Sequence, residues 1–393
     1  MTELKRVTGG FLPLTDVSIL AAAREIGFAK EQGIDLVLER ETSWANIRDR
    51  MAIGHFDIAH MLAPMPIASN LGITPFDQEI IAPMALGLGG NAVTVSSELF
   101  SELSPTRPEA LKAGASLKRA IENRRAAGKP KLRFGVVHPH SAHNFELRYF
   151  FSASGIKPDE DVEIVILPPS LMPAALERQK IDGFCVGEPW NTVSADAGHG
   201  RILTTKNEIW SSSPEKVLGV RGGWAQQNEA TLASLLRACY AASQWCADHT
   251  NRQTLAYILS RPDYLDVDPT IISRSLAGES GFEPYARAAT FPWISHAMWF
   301  YSQMVRWGQI VHNDANANTA RSTYRPDIYR SALKGTGAAI PAASSKVEGA
   351  LSEETVVGAG SSKLALGPDG FFDNRIFDPD QIDEYIASQS SET

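Results

Sequence analysis

DGFCVGEPW, residues 182–190, is the most informative stretch of this 393-residue chain. Its apolar first half predicts a short buried strand over residues 182–186, and Pro189 fixes the backbone of the turn that follows. There the carboxylate of Glu188 precedes the indole of Trp190. An acid beside an aromatic side chain at a strand end is as typical of a structural turn as of a ligand contact. Neighbouring segments must therefore decide whether the turn is functional.

The length and composition predict a soluble globular protein of two lobes. The chain exceeds the ~250 to 300 residues at which a single hydrophobic core usually stops growing. Hydrophobic residues make up 44% and charged residues 21%, so there is ample apolar surface to bury. A formal net charge of -8 argues against broad binding to nucleic acid, which requires a concentrated basic face.

The cysteines and the amino terminus indicate the compartment. Cys185, Cys239 and Cys246 lie in apolar surroundings and are odd in number, which predicts reduced core residues rather than a disulfide framework. No apolar run of signal-peptide length precedes the first predicted strand, and no later run approaches ~18 apolar residues. We therefore expect a cytoplasmic chain without a membrane span.

Alternating strand and helix patterns occur in two units of the chain. Such alternation predicts a parallel or mixed sheet in each unit, with ligands at the carboxyl ends of the strands. Two crossings between the units would form a hinge. The predicted domains are a first part of lobe 1 at 1–96, lobe 2 at 97–217, a mostly helical return to lobe 1 at 218–334, and a linker with a C-terminal tail packing back at 335–393.

Three histidines, His138, His140 and His143, lie between a predicted strand and a predicted helix. A zinc site would require a further thiolate or carboxylate. The start of a helix offers unpaired N–H groups and the positive end of the helix dipole, so a histidine in its first turn favours an anion. Solvated loop histidines are the structural alternative.

Lys216 and Trp44 are further candidate contacts for an anion. Lys216 precedes the predicted return crossing, where it can reach a cleft between lobes and act as a charged hydrogen-bond donor. Trp44 offers the flat apolar wall that a small planar anion needs. A surface lysine and a buried first-turn aromatic are the structural alternatives, and the competing cations are Arg6, Arg48 and Arg148.

The sequence contains no enzyme signature that we recognise. It has no Gly-x-Ser-x-Gly nucleophile elbow, no phosphate-binding glycine-rich loop before a helix and no convincing pair of nucleophile and base. The glycines at 87–90 lead into a strand instead, which indicates a tight turn or a backbone that approaches a ligand. We predict a binding protein that uses no cofactor and no metal.

Several segments, taken in order, resemble the nitrate and bicarbonate substrate-binding proteins of ABC transporters. The resemblance extends from about Leu12 to Trp224, and its combination of segments is highly specific although no single segment is. The segments are SWANIRD at 43–49, HMLAPMP at 60–66, GNA at 90–92, His143 with Arg148 and Tyr149, DGFCVGEPW at 182–190, EIW at 208–210 and PEKV at 214–217.

That family has the two-lobed type II periplasmic-binding fold, an α/β fold whose lobes close on an oxyanion about a hinge. The resemblance implies that Trp44, His143 and Lys216 contact the anion, with Asn91 and Glu188 close by.

This chain departs from the family at two places. His60 stands where transporter members tend to have a glutamine, and it is included here among the ligand-binding candidates. Gly89-Gly90-Asn91 replaces the family's Asn-Gly-Gln. The resemblance therefore does not predict which anion this chain prefers.

The sequence as given shows no export signal or lipid-anchor cysteine, and in this it looks like the NasS-type cytoplasmic nitrate/nitrite sensors. That resemblance implies a partner, a NasT-type ANTAR-domain antiterminator that binds RNA and is released when nitrate or nitrite arrives. The alternative is the nitrate or bicarbonate substrate-binding component of an ABC transporter. A third hypothesis, an enzyme related to pyrimidine synthases of this fold, would need a metal or reactive cofactor at the histidine cluster.

Overall fold

The computed structural model describes residues 3–103, 109–278, 280–359 and 362–389. The predicted alternation of strands and helices is confirmed. The strands are β1 (Lys5–Phe11), β2 (Ile34–Arg40), β3 (Ile58–Leu62), β4 (Ile80–Ile81), β5 (Asn91–Ser96), β6 (Leu132–Val136), β7 (Val162–Ile166), β8 (Gly183–Gly187), β9 (Gly200–Thr205), β10 (Lys216–Arg221), β11 (Thr355–Ala359) and β12 (Ser362–Leu366).

The helices cover both sheets and make up most of residues 222–333. Within the described ranges, no helix is both long enough and apolar enough to cross a membrane. They are α1 (Ser18–Glu25), α2 (Phe28–Glu31), α3 (Trp44–Ala52), α4 (Pro64–Asn70), α5 (Ser97–Leu103), α6 (Ala110–Ala126), α7 (Ala142–Ala153), α8 (Met172–Glu177), α9 (Trp190–Asp196), α10 (Lys206–Ile209), α11 (Gly222–Gln227), α12 (Glu229–Ala247), α13 (Arg252–Ser260), α14 (Pro269–Ala277), α15 (Ile294–Arg306), α16 (Asp314–Thr323), α17 (Pro326–Leu333) and α18 (Ile382–Gln389), with short 3-10 turns at Thr15–Val17, Pro169–Leu171, His249–Asn251 and Pro379–Gln381.

Two five-stranded mixed sheets form the centres of the two lobes. The first has the order β2-β1-β3-β10-β4, in which β1 is parallel to β2 and β3 while β10 runs antiparallel to its neighbours. The second has the order β7-β6-β8-β5-β9, in which β6 is parallel to β7 and β8 while β5 runs antiparallel. The mixed sheets agree with the prediction.

The crossings between the sheets lie a few residues from the predicted positions. The prediction placed 1–96 in lobe 1, but β5 pairs with β8 and β9 in the second sheet, so the chain crosses before Asn91. The return crossing precedes Lys216, which already pairs in the first sheet. Alternation along a sequence identifies a strand but not its partner, and this explains why the prediction placed β5 in the wrong sheet.

Buried apolar residues form two clusters. One lies around the first sheet, where α12 returns to pack against α1 and α17. The other lies around the second sheet and continues across α4 and α15. Cys185 and Cys239 are free and buried in these clusters, and Cys246 is free and partly buried, as predicted for reduced residues.

The C-terminal segment packs against the rest of the protein. The segment predicted as a linker and tail, 335–393, contains regular structure, because β11 pairs with β12 in antiparallel orientation. Beyond β12, the ring of Phe371 stacks on Trp210 with centroids 4.7 Å apart and also contacts Tyr149 of α7 at 5.5 Å. The tail thus adds aromatic contacts to the core of the second lobe.

A Phe371→Ala substitution should lower the free energy of unfolding by about 3 to 5 kcal/mol, because it removes a buried ring from this stack. Urea unfolding followed by circular dichroism measures the change. The control is Phe76→Ala, since Phe76 is 39% exposed. Equal stabilities of the two variants would contradict a docked tail.

Candidate functional site

The candidate site lies where the parallel strands of both sheets end. Lys216, the first residue of β10, pairs with Leu62, the last of β3. Asn91, the first residue of β5, pairs with Gly187, the last of β8. Each antiparallel strand therefore begins at the carboxyl edge of its parallel neighbours, which is the edge where open α/β sheets bind ligands.

The turn after β8 joins the two lobes. The Thr15 N–H donates to the carbonyl oxygen of Glu188 at 2.8 Å, and Trp190 Nε1 donates to the carbonyl oxygen of Pro13 at 3.0 Å. Residues 13–15 follow β1 of the first lobe, so these bonds hold the lobes together. The stretch at 182–190 is therefore both a strand and an interlobe contact.

Glu215 is the centre of a fully buried ionic cluster. Its Oε1 lies 2.7 Å from Lys216 Nζ and 3.3 Å from His143 Nδ1, and its Oε2 lies 2.7 Å from Lys206 Nζ. The side-chain amide of Asn91 also donates to Oε2. Burial alone would raise the pKa of Glu215, but His143, Lys206 and Lys216 outweigh it and hold the carboxyl ionised.

Asp16 is the second carboxylate of the cluster. Its Oδ2 lies 2.8 Å from Lys216 Nζ, and its Oδ1 lies 2.9 Å from His60 Nε2. Burial opposes ionisation, yet Lys216 and His60 lower the pKa of Asp16 to about 2. Lys216 thus bridges two carboxylates, which together occupy two of the three N–H donors of its ammonium group.

Glu146 is the third buried carboxyl group, and its Oε1 lies 2.5 Å from Lys206 Nζ. Here burial dominates and raises the pKa of Glu146 to about 8, although Lys206 opposes the shift. Glu146 is therefore mostly protonated at neutral pH. Burial lowers the pKa of Lys206, but its contacts with Glu146 and with the ionised carboxylate of Glu215 outweigh burial and raise that pKa.

The two histidines of the cluster both have lowered pKa values. Burial lowers the pKa of His143 to about 3, even though Glu215 opposes the shift. Burial also lowers the pKa of His60, against the opposing effect of Asp16. Both rings are fully buried.

Five buried ring nitrogens of the cluster have no hydrogen-bond partner within the described part of the chain: Trp44 Nε1 and both nitrogens of His60 and of His143. Of these, only His60 Nε2 and His143 Nδ1 lie at ion-pair distance from a carboxylate, so Trp44 Nε1, His60 Nδ1 and His143 Nε2 face no charged partner among the described residues. The Trp44 ring lies 5.5 Å from Lys216 Nζ and 5.8 Å from the His60 ring, measured to its centroid. Because buried polar atoms are nearly always paired, such a group indicates a place for a polar ligand.

Five of the six predicted ligand-binding residues meet in this cluster: Trp44, His60, Asn91, His143 and Lys216. Trp44 and His143 stand in the first turns of α3 and α7, whose N-cap residues Ser43 and Ser141 accept hydrogen bonds from backbone N–H groups, as is typical of a helix start.

Glu188 is placed differently from the other five. Its carboxylate accepts a hydrogen bond from the Thr192 N–H of α9 at 3.1 Å, and its carbonyl group makes the interlobe bond. Burial raises the pKa of Glu188 to about 7, although the Thr192 N–H opposes the shift. In this structure Glu188 supports the start of α9 and the contact between lobes.

Sequence analysis missed Asp16, Glu146, Lys206 and Glu215 as members of the site. Glu146 follows His143 by three residues on α7, a spacing that places both on one helix face and could have identified it. Asp16 follows the carboxyl end of β1. Nothing in the sequence indicates that Lys206 is a buried site residue, because a lysine at the start of a helix is usually exposed.

The other candidate residues have partners outside the cluster. His140 Nδ1 lies 2.9 Å from Gln309 Oε1, Arg48 pairs with Asp49, Arg148 pairs with Asp159, and Arg6 is exposed. In the described ranges, no group of three or more histidine, cysteine, aspartate or glutamate side chains is arranged to hold a metal ion.

A Gly187→Ala substitution should destabilise the contact between lobes. The added Cβ would lie 3.2 Å from both Asn91 Oδ1 and Leu14 Cδ2, closer than carbon atoms normally approach such neighbours. We expect a loss of about 1 to 3 kcal/mol in urea unfolding, typical of overpacking, and a larger radius of gyration in X-ray scattering.

The matched control is Gly223→Ala in α11, where an added Cβ meets open space and alanine favours the helix. A Gly187→Ala protein as stable and as compact as this control would contradict the tight interlobe contact.

A sequence model of the NMT1-like family matches residues 1–260 of the chain. The chain is also similar to the nitrate/nitrite binding protein NrtA of Synechococcus elongatus, with 30% identity over 406 residues that cover 98% of this chain and 86% of NrtA. Its identity to the bicarbonate transport ATP-binding protein CmpC of the same species is 34% over 313 residues, which cover 77% of this chain and 45% of CmpC.

The crystal structure of the periplasmic nitrate-binding protein NrtA from Synechocystis PCC 6803 is similar to this chain throughout. The TM-score is 0.85 at 26% identity, over 98% of this chain and 99% of that protein. This similarity confirms the predicted two-lobed fold of the periplasmic binding proteins.

Proposed function

The chain belongs to the NMT1-like family, and on that premise we propose that it binds nitrate and nitrite between its lobes as the substrate-binding component of an ABC-type importer. The relatives named for nitrate/nitrite binding, which match nearly the whole chain, support this proposal. The observation that carries it is the group of unpartnered buried ring nitrogens beside Lys216.

The cluster has the features that a small planar oxyanion requires. Trp44 supplies an indole face and an N–H donor, and Lys216 retains one N–H donor beyond its two carboxylate partners. His143 presents its free Nε2 from the second lobe. An anion that contacts all three groups would be held by both lobes, so it would stabilise their closed arrangement over an open one.

We expect isothermal titration calorimetry to detect binding of nitrate and of nitrite to the protein. Bicarbonate and sulfate should bind with lower affinity. A Lys216→Met substitution, which keeps the length of the side chain but removes its charge, should weaken nitrate binding about 100-fold or more. Such a loss is about 3 kcal/mol and is typical when one partner of a buried charge pair is removed.

The control is Lys157→Met, since Lys157 is exposed and pairs with Glu160 on the surface. Circular dichroism establishes that both variants are folded. Unchanged nitrate affinity in a folded Lys216→Met protein would remove Lys216 from the site, and absence of heat with all four anions would contradict the proposed ligand.

A second candidate role is the cytoplasmic nitrate/nitrite sensor that the sequence predicts, with a NasT-type ANTAR-domain antiterminator as its partner. The net charge of -8 favours it, because an acidic protein is complementary to the basic surface expected of an RNA-binding partner. In that role, lobe closure on the anion would change the surface offered to the antiterminator.

The two roles differ in location and in partner. If the chain is a sensor, fractionation of native cells should recover it in the cytoplasm, and a complex with the ANTAR-domain protein of the same genome should dissociate in gel filtration when nitrate is added. Recovery outside the cytoplasmic membrane, with no such complex at any nitrate concentration, would exclude the sensor and favour the importer component.

A further inference from the structure

We propose that nitrate binding at this site takes up one proton, and that the proton is received by His143. The inference rests on the proposed function, because it concerns the same buried cluster. It adds a pH dependence that anion binding by fixed charges alone would not have.

The first step of the argument concerns the Nδ1 edge of His143. This nitrogen lies 3.3 Å from Glu215 Oε1, at ion-pair distance but without the geometry of a hydrogen bond, and Glu215 is held ionised between Lys206 and Lys216. An ionised carboxylate can only accept hydrogen bonds. The favourable arrangement therefore places a proton on Nδ1.

The second step concerns the opposite edge of the ring. Nε2 is fully buried and has no hydrogen-bond partner within the described residues. Nitrate carries no proton, so its oxygens can only accept. An Nε2 that contacts nitrate must therefore carry a proton as well. An imidazole ring between a carboxylate and a nitrate must be an imidazolium.

The charge balance of the cluster leads to the same result. With Glu146 protonated, the ammonium groups of Lys206 and Lys216 balance the carboxylates of Asp16 and Glu215. A monovalent anion would leave this buried cluster with an uncompensated negative charge, which is costly in a medium of low dielectric constant. One proton on a histidine restores neutrality.

His143 is neutral before the anion arrives. Burial lowers its pKa to about 3, so the ring is unprotonated at neutral pH and must acquire the proton on binding. Positively and negatively charged side chains of the surrounding elements face the His143 ring, and a bound nitrate would add one more negative charge beside it. These groups are Asp16 after β1, Lys206 of α10, Glu215 before β10 and Lys216 of β10.

The direct test is calorimetric titration with nitrate at pH 7 in PIPES and in imidazole, two buffers with different enthalpies of ionisation. If the complex takes up a proton, the observed heat differs between buffers in proportion to their ionisation enthalpies. We expect about one proton per nitrate from this comparison.

The affinity should also depend on pH with a defined sign. The nitrate complex binds one proton more than the free protein, so affinity falls as pH rises between the low pKa of free His143 and its higher pKa in the complex. In that interval the dissociation constant should rise about tenfold per pH unit.

Three variants assign the proton. His143→Gln should reduce the uptake to about zero, while His60→Gln and Glu146→Gln should retain it. Glu146→Gln is needed because the pKa of Glu146 is about 8, so this carboxyl group is the other candidate acceptor near neutral pH. His55→Gln, at an exposed histidine that pairs with Glu39, is the control for loss of a histidine.

The outcomes separate this inference from the proposed function. Nitrate binding with heats that are the same in both buffers would overturn the proton uptake but leave nitrate as the ligand. Uptake that persists in His143→Gln and disappears in either of the other two site variants would overturn the assignment to His143. No binding of nitrate in either buffer would overturn both proposals.

Discussion

The buried carboxylate of Glu215 is the interaction on which the rest of the site depends. A buried charge is tolerated only when its partners compensate it fully, and Glu215 receives two ammonium groups, an amide and an imidazole edge. Those partners come from α10, β10, β5 and α7. The contacts that compensate this one carboxylate therefore hold β10, the strand that returns to the first sheet, against β5 and α7 of the second lobe.

The order of the strands explains why these partners can meet. Both sheets contain one long antiparallel strand next to parallel strands, and each antiparallel strand begins at the edge where the parallel strands end. Lys216 and Asn91 occupy those two starting positions. Gly187 lies between Asn91 and Leu14 of the opposite lobe, where a larger residue would separate them. The closed arrangement of the lobes and the geometry of the cluster are thus consequences of the same strand order.

The electrostatics of the cluster bear on which ligands it accepts. Two lysines balance two carboxylates, so the site holds charged donors without excess positive charge. Under the proposed proton uptake, a monovalent anion that brings one proton would keep the cluster neutral, whereas a dianion such as sulfate would need two protons or a further cation. Selectivity would then follow from the number of charges that the cluster can compensate as well as from the flat wall of Trp44.

The sequence by itself determined most strands and helices, the α/β class and part of the set of residues that converge on the site, because these follow from local periodicity and from segments that resemble a known family. It named Trp44, His60, Asn91, His143 and Lys216 as candidates, and the structure brings these five residues together in one cluster. Only the tertiary structure decided that β5 belongs to the second sheet, that Glu188 supports α9, and that Asp16, Glu146, Lys206 and Glu215 complete the cluster. The physical reason is that strand partners and buried ion pairs join residues up to 200 positions apart, as Asp16 and Lys216 are, and no local pattern encodes such a contact.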